Sequence, residues 1–260
     1  MIQLAKRTEV VMKIGILQTG WINPALQDEF GTYSQMFVSL FHRQNAGFSF
    51  TPYIVYDSQF PDDASDCDGY IITGSAAGVY EDHDWLEPLF EFIRICHARR
   101  LPMIGICFGH QAIATALGGE VVKHHDGWGV GNRAQNATAP QALSTVTGCE
   151  ADDADIDMIY FHQDQVIRAP EGAVVTLSDK FCPIGGYVLD SHVLSFQGHP
   201  EFSAEYTRAL LGIKRDAIGD ARTDEALDSL ERDNHSQKLA RWMTSFFTTA
   251  HQQRYPRTSG

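Results

Sequence analysis

The chain has 260 residues, 43% of them apolar and 20% charged, enough for one large α/β domain with a full core or for two small ones. A net charge of −13 disfavours nucleic acid as a partner, because phosphate binding needs clustered Lys and Arg. No apolar run has the length of a membrane span, and the N-terminal "MIQLAKRTEVVMKIGILQTG" lacks the continuous apolar segment of a signal peptide.

In chain order, "KIGILQ" (13–18) is a short apolar run closed by Thr19-Gly20, which suits a buried parallel strand. Met12 immediately precedes it, so residues 1–12 are expected to be an N-terminal extension, 13–251 one domain and 252–260 a tail. Phe30, Tyr33, Phe37, Leu40 and Phe41 recur at helical spacing and predict an amphipathic helix. "FTPYIVYD" (50–57) and "GYIIT" (69–73) read as strands. Asp84 opens a second helix with the buried stripe Leu86, Leu89, Phe90, Ile93 and Cys96. "MIGI" (103–106) is the next strand. Such alternation favours a mostly parallel open sheet with helices on both faces, of the flavodoxin-like kind.

Past residue 120 the pattern changes. "EVVKH", "RAQNATA", "DMIYFHQ", "AVVTLSD", "GGYVLD" and "VLSFQGH" look like shorter strands forming a small antiparallel extension of the main sheet. Residues 203–251 return to helix, with a solvated acidic segment from Asp216 to Asp233 between two helical stretches. Cys67, Cys96, Cys107, Cys149 and Cys182 are an odd number without a CxxC pair. They imply a reduced, cytoplasmic protein with neither a disulfide framework nor a zinc knuckle.

One cysteine stands apart. In Gly105-Ile106-Cys107-Phe108-Gly109 the glycines sit two residues either side of Cys107, the spacing of a sharp strand-to-helix turn that presents a nucleophile. Such a turn puts the sulfur at the carboxyl end of the sheet and near a helix N-terminus, which favours the thiolate. The five residues alone serve equally a buried structural cysteine beside helix-entry glycines. A thiolate nucleophile needs a proton shuttle, and the shuttle needs an orienting group. Among 11 histidines, His199 in "LSFQGHPEF" (194–202) is the best placed. In an extended chain Glu201 projects to the same side and can hold one imidazole nitrogen, leaving the other for the sulfur.

"GICFGHQ" and "GHPEF" together resemble the class I (triad-type) glutamine amidotransferases. "DGYIITGSAAGVYEDHDWLEPL" (68–89) and the segment 160–179 extend the likeness over roughly residues 13–210. It is nearest to stand-alone members related to the amidotransferase half of GMP synthase. The family usually carries an aromatic residue directly before the histidine. Here Gly198 stands there, which is expected to loosen packing beside the base.

The resemblance implies that Cys107, His199 and Glu201 form the triad. The N–H of Phe108 and the Gly74-Ser75 turn would make an oxyanion hole, and Gln111 a substrate contact. His162, Gln163 and Asp164 would read the α-amino and carboxylate groups. The substrate would be L-glutamine or a γ-glutamyl compound, with no cofactor and no metal. No sequence like an ATP-pyrophosphatase loop is present, so an acceptor-using synthetase would be a separate polypeptide. A γ-glutamyl peptidase or hydrolase needs no such partner, and a non-catalytic binding module of the same fold is a third reading. His124-His125-Asp126 reads as a solvated turn, since neighbours on a strand point to opposite faces. His110 lacks a carboxylate nearby in sequence, and the four other cysteines read as packing residues.

Overall fold

Short buried strands and amphipathic helices alternate as the apolar spacing requires. The structure, a computed structural model, describes residues 12–151 and 155–254. The first half contains β1 (Met12–Gln18), α1 (Pro24–Phe30), α2 (Tyr33–His42), β2 (Phe48–Ile54), β3 (Gly69–Ile72), α3 (Leu86–Ala98), β4 (Met103–Ile106) and α4 (Phe108–Ala116). Next come β5 (Glu120–Lys123), β6 (Gly129–Ala137), α5 (Pro140–Thr147), β7 (Ile156–His162), β8 (Asp164–Arg168) and β9 (Val174–Ser178). The chain continues through β10 (Gly186–Leu189), β11 (Val193–Phe196), α6 (Ala204–Ile218), α7 (Asp220–Ser229) and α8 (Ser236–Arg254).

One nine-stranded sheet runs in the order β2-β1-β3-β4-β11-β10-β9-β6-β7. Its first five strands are parallel. From β10 onward the pairing is antiparallel. Strands β5 and β8 form a separate antiparallel pair, so the antiparallel part is divided between two sheets. A lone bridge also joins Ile159 of β7 to His199, whose N–H donates to the Ile159 carbonyl at 2.7 Å.

Strands β3 and β4 are buried along their whole length because helices cover both faces. Ile14, Ile16, Ile104 and Ile106 face α2, α5 and α8, meeting residues such as Phe37, Leu143 and Phe246. Leu17, Ile72 and Met103 point the other way, onto Leu89, Ile93 and Ile113 of α3 and α4. Each fully buried side chain of this size contributes about 1.5–3 kcal/mol. A third apolar cluster joins α1, α6 and β7 through Leu26, Tyr206, Leu210 and Ile159.

Several elements depart from the sequence reading. The stripe from Phe30 to Phe41 is two helices: Gly31 has a φ of +74°, and Thr32 and Gln35 form a capping box that starts α2 anew. Strand β2 starts at Phe48 and gives way to a 3-10 turn at Val55–Asp57. Helix α3 begins at Leu86 rather than Asp84, and α5 was not anticipated. The acidic segment holds α7, whose Thr223 and Ala226 are buried. Ala226 packs so closely on Gly131 that a Cβ there would lie 2.9 Å from its Cα. Met12 is a buried residue of β1, while residues 1–11 and 255–260 lie outside the described residues. Among the described residues no helix is long and apolar enough to cross a membrane.

Candidate active site

Strand β4 ends at Ile106 and α4 begins at Phe108, so the change of direction falls on Cys107. Its φ is +52°, a strained value for a residue with a Cβ, costing on the order of 1–3 kcal/mol. The flanking glycines allow the turn. A Cβ on Gly105 would lie 2.7 Å from the Gly109 carbonyl, and one on Gly109 would run into the Ile72 carbonyl. The Cys107 N–H donates to the Phe196 carbonyl at 2.9 Å, and the Gly109 N–H to that of Thr73 at 3.1 Å. Backbone bonds to the ends of β11 and β3 thus fix the buried sulfur at the start of α4.

His199 comes from the chain just beyond β11. Its Nδ1 lies 2.8 Å from Glu201 Oε1, and both side chains are buried. The two residues are linked through a turn at Pro200 rather than an extended strand. The Phe202 ring stacks on the imidazole at 3.9 Å between centroids. Burial by itself would strip the proton from this ring. The Glu201 carboxylate and the Cys107 sulfur outweigh it and raise the pKa to about 10. Gly198 does not loosen the packing as expected, because the Met158 side chain fills the space beside it.

Gly74, at the end of β3, closes the other side. A Cβ there would lie 2.9 Å from His199 Cε1 and 3.8 Å from Cys107 Cβ. The Thr19 hydroxyl donates to the Thr73 and Gly74 carbonyls, tying this turn to the end of β1. Ser75 lines the cleft above the sulfur and accepts the Ala77 N–H at 3.1 Å. Phe108 is buried, with its ring 5.6 Å from that of Trp85.

Gln111, in the first turns of α4, uses its amide N–H groups internally, donating to the Asp164 carbonyl at 2.7 Å and to Gln197 Oε1 at 3.1 Å. Gln197 in turn directs Nε2 at Cys107 Sγ, 3.5 Å away. Sequence reasoning missed both Gln197 and Thr19. A glutamine at the end of the apolar run "VLSF" was the available signal for the first.

His162, Gln163 and Asp164 sit where β7 turns into β8, and all three line the same cleft. Burial lowers the His162 pKa to about 4, and its Nδ1 lies 2.9 Å from the Asp164 carbonyl. Asp164 accepts the Tyr80 hydroxyl at 2.9 Å. Burial raises its carboxyl pKa, against the opposing effects of Tyr80 and Lys123.

The cleft has a volume of about 430 Å³ and holds Cys107, His199, Ser75, Gln111 and Asp164 in its walls. A wider hollow of about 740 Å³ beside Trp128 and Arg222 contains none of them. His110 lies outside the cleft. Its nitrogens lie 2.9 Å from Ser195 Oγ and 3.1 Å from the Ile184 carbonyl, and burial lowers its pKa to about 3. The side chains of His124, His125 and Asp126 do not diverge, because β5 ends at Lys123 and they form a turn. The Asp126 N–H closes it onto His124 Nδ1 at 3.1 Å, and His125 and Asp126 are exposed. All five cysteines are free thiols.

Residues 26–211 match the family model for glutamine amidotransferase class-I. The chain is 32% identical over 179 residues to gamma-glutamyl peptidase 3 of Arabidopsis thaliana, covering 68% of this chain and 71% of that one. It is 32% identical over 152 residues to the glutamine-hydrolyzing GMP synthase of Leifsonia xyli, covering 55% of this chain and 28% of that one. A solved glutamine amido transferase from Methylobacillus flagellatus superposes with a TM-score of 0.72 at 21% identity, over 96% of this chain and 98% of that one. The chain belongs to the class I glutamine amidotransferase family. Its fold is that of the family, with a mostly parallel sheet between helical layers.

Proposed function

We propose that the chain hydrolyses the γ-amide bond of a γ-glutamyl compound through a thioester on Cys107. The observation that carries this is the convergence of three elements on one sulfur: the strained turn at Cys107, the raised His199 and its 2.8 Å bond to Glu201.

The chemistry follows from these positions. Cys107 reacts as the thiolate, the nucleophilic form of a cysteine, with the protonated His199 beside it. It attacks the γ-carbonyl carbon, and the N–H groups of Phe108 and the Gly74-Ser75 turn receive the oxyanion. Each such donor is worth about 3–4 kcal/mol in the transition state. The C–N bond then breaks as His199 gives its proton to the departing nitrogen, leaving the γ-glutamyl thioester. Water attacks the thioester, His199 takes its proton, and glutamate leaves as the thiolate is restored. Asp164 and Lys123, opposite charges in the same cleft, are suited to the α-amino and α-carboxylate groups. Gln111 and Gln197 hold the sulfur and the Asp164 loop in register.

The test is glutamate release from L-glutamine and from γ-glutamylglycine, with mass spectrometry for an acylated Cys107. Release that survives in Cys107→Ala sinks the triad reading. A second reading, ammonia delivery to a separate synthetase, draws on the likeness to GMP synthase. Cleavage of glutamine with no cleavage of γ-glutamylglycine favours that reading.

A further inference from the structure

The cleft is larger than an amino acid of glutamine's size fills and falls in the range of sites for drug-sized ligands. Its wall beyond His199 is aromatic. Phe202 lies flat on the imidazole, Tyr33 is stacked on Phe202 at 6.0 Å, and Tyr206 meets Phe202 edge-on at 4.6 Å. Trp128 and Phe161 make a second edge-on pair at 5.4 Å, and Leu210 completes the surface. All of these belong to the apolar cluster joining α1, α6 and β7, so the wall is a preformed part of the fold. Trp21, also lining the cleft, is 63% exposed, a large apolar surface left open at its mouth.

Charge adds a second, independent constraint. Helix α6 supplies one cation to the cleft, Lys214, at its exposed rim. The arginines of α6 are engaged: Arg208 with Glu231, and Arg215 with Asp220 and Asp224. Lys214 has no ion-pair partner among the described residues. Lys123, the other lysine of the cleft, is the one suited to the α-carboxylate of the glutamyl group, so in a chain of net charge −13 Lys214 is left to admit a second anionic group.

We propose that the amine released by this site is an aromatic amino acid, so that the substrate is a γ-glutamyl dipeptide such as γ-glutamylphenylalanine. This rests on the γ-glutamyl hydrolase reading above. His199 delivers its proton to the departing nitrogen, and the group on that nitrogen lies along the Tyr33, Trp128 and Phe161 rings, the partly exposed part of a wall that the buried Phe202 and Tyr206 back. The ring of the leaving residue stacks there, and its carboxylate reaches Lys214. Ammonia makes no use of such a wall.

The experiment compares kcat/KM for γ-glutamylphenylalanine, γ-glutamylglycine and γ-glutamylphenethylamide, with thioester formation on Cys107 followed for each. The expected result is a preference for γ-glutamylphenylalanine over γ-glutamylglycine of about tenfold or more, the scale of hydrophobic-pocket discrimination. Lys214→Glu is expected to lower the ratio of γ-glutamylphenylalanine to γ-glutamylphenethylamide about fivefold. Equal rates for the phenylalanine and glycine compounds overturn the aromatic assignment while leaving the triad intact. An unchanged ratio in Lys214→Glu removes the carboxylate contact. Failure of all three compounds to acylate Cys107 overturns both this inference and the reading beneath it.

Discussion

The side chain of Met158 stands where a side chain at position 198 would point: a Cβ on Gly198 would lie 2.8 Å from Met158 Cγ and 2.9 Å from Met158 Sδ. The methionine on β7 thus takes the place beside His199 that the family usually gives to an aromatic residue in the chain itself. Gly198→Phe is expected to overpack the site and cost about 1–3 kcal/mol. Adding Met158→Ala should recover part of that loss. A double-mutant cycle from urea unfolding reads the coupling, and simple additivity would show that the two positions do not share the space.

Glu201 is one of the two groups that hold the proton on His199, so Glu201→Gln lowers the imidazole pKa from about 10. In the proposed mechanism the imidazolium protonates the leaving group, and this form is lost as pH rises through that value. The alkaline limb of the kcat/KM profile is therefore expected to move to lower pH, with a rate loss of roughly 10²–10⁴. A variant whose rate falls but whose alkaline limb stays in place would mean that Glu201 does not set the His199 charge.

Burial lowers the pKa values of His110 to about 3 and of His162 and His192 to about 4. Below pH ~6.5 the unfolded chain binds more protons at these sites than the folded one. Stability therefore falls with pH from there, by about 1.4 kcal/mol per pH unit for each histidine that stays neutral. His199 has the opposite sign. Its raised pKa gives a contribution fully present below pH ~6.5 and lost as pH rises through about 10. Urea unfolding across this range should show an optimum near pH 6.5, and His110→Gln should flatten the acid side.

Asp164→Asn removes a carboxylate from the cleft without changing its size. If that charge meets the substrate α-amino group, KM rises about 10–100-fold with little change in kcat. Tyr80→Phe, which removes the hydroxyl 2.9 Å from Asp164 Oδ1, should raise KM by less, about two- to tenfold. Steady-state kinetics on γ-glutamylglycine separate the two parameters. A fall in kcat alone would move Asp164 from binding to the chemical step.

What the sequence disclosed, it disclosed where geometry leaves few options. Gly105 and Gly109 are required by contacts that a Cβ would violate, so the turn at Cys107 is legible as a five-residue spacing. His199 and Glu201 are two residues apart, and their contact is local. Other features depend on the tertiary fold. The apolar stripe from Phe30 to Phe41 continues across Gly31-Thr32 and hides a break that only the cap geometry reveals. The acidic run reads as solvated because the burial of Thr223 and Ala226 is supplied by β6. Gln197 looks like an ordinary strand-end residue until β11 is seen beside β4, with its amide on the sulfur.

The backbone bond between His199 and Ile159 has a consequence for how copies of this chain can meet. An unpaired strand at the rim of a sheet is a template for another chain. Here β7 is capped along its outer side by His199 and by His235, which exchanges hydrogen bonds of 2.8 Å with the backbone of Asp157. At the opposite rim, β2 carries Pro52, which has no N–H to offer. The rim at β7 is already engaged at Asp157 and Ile159. The segment that carries His199 and Glu201 thus also obstructs strand addition at β7, one rim of the nine-stranded sheet.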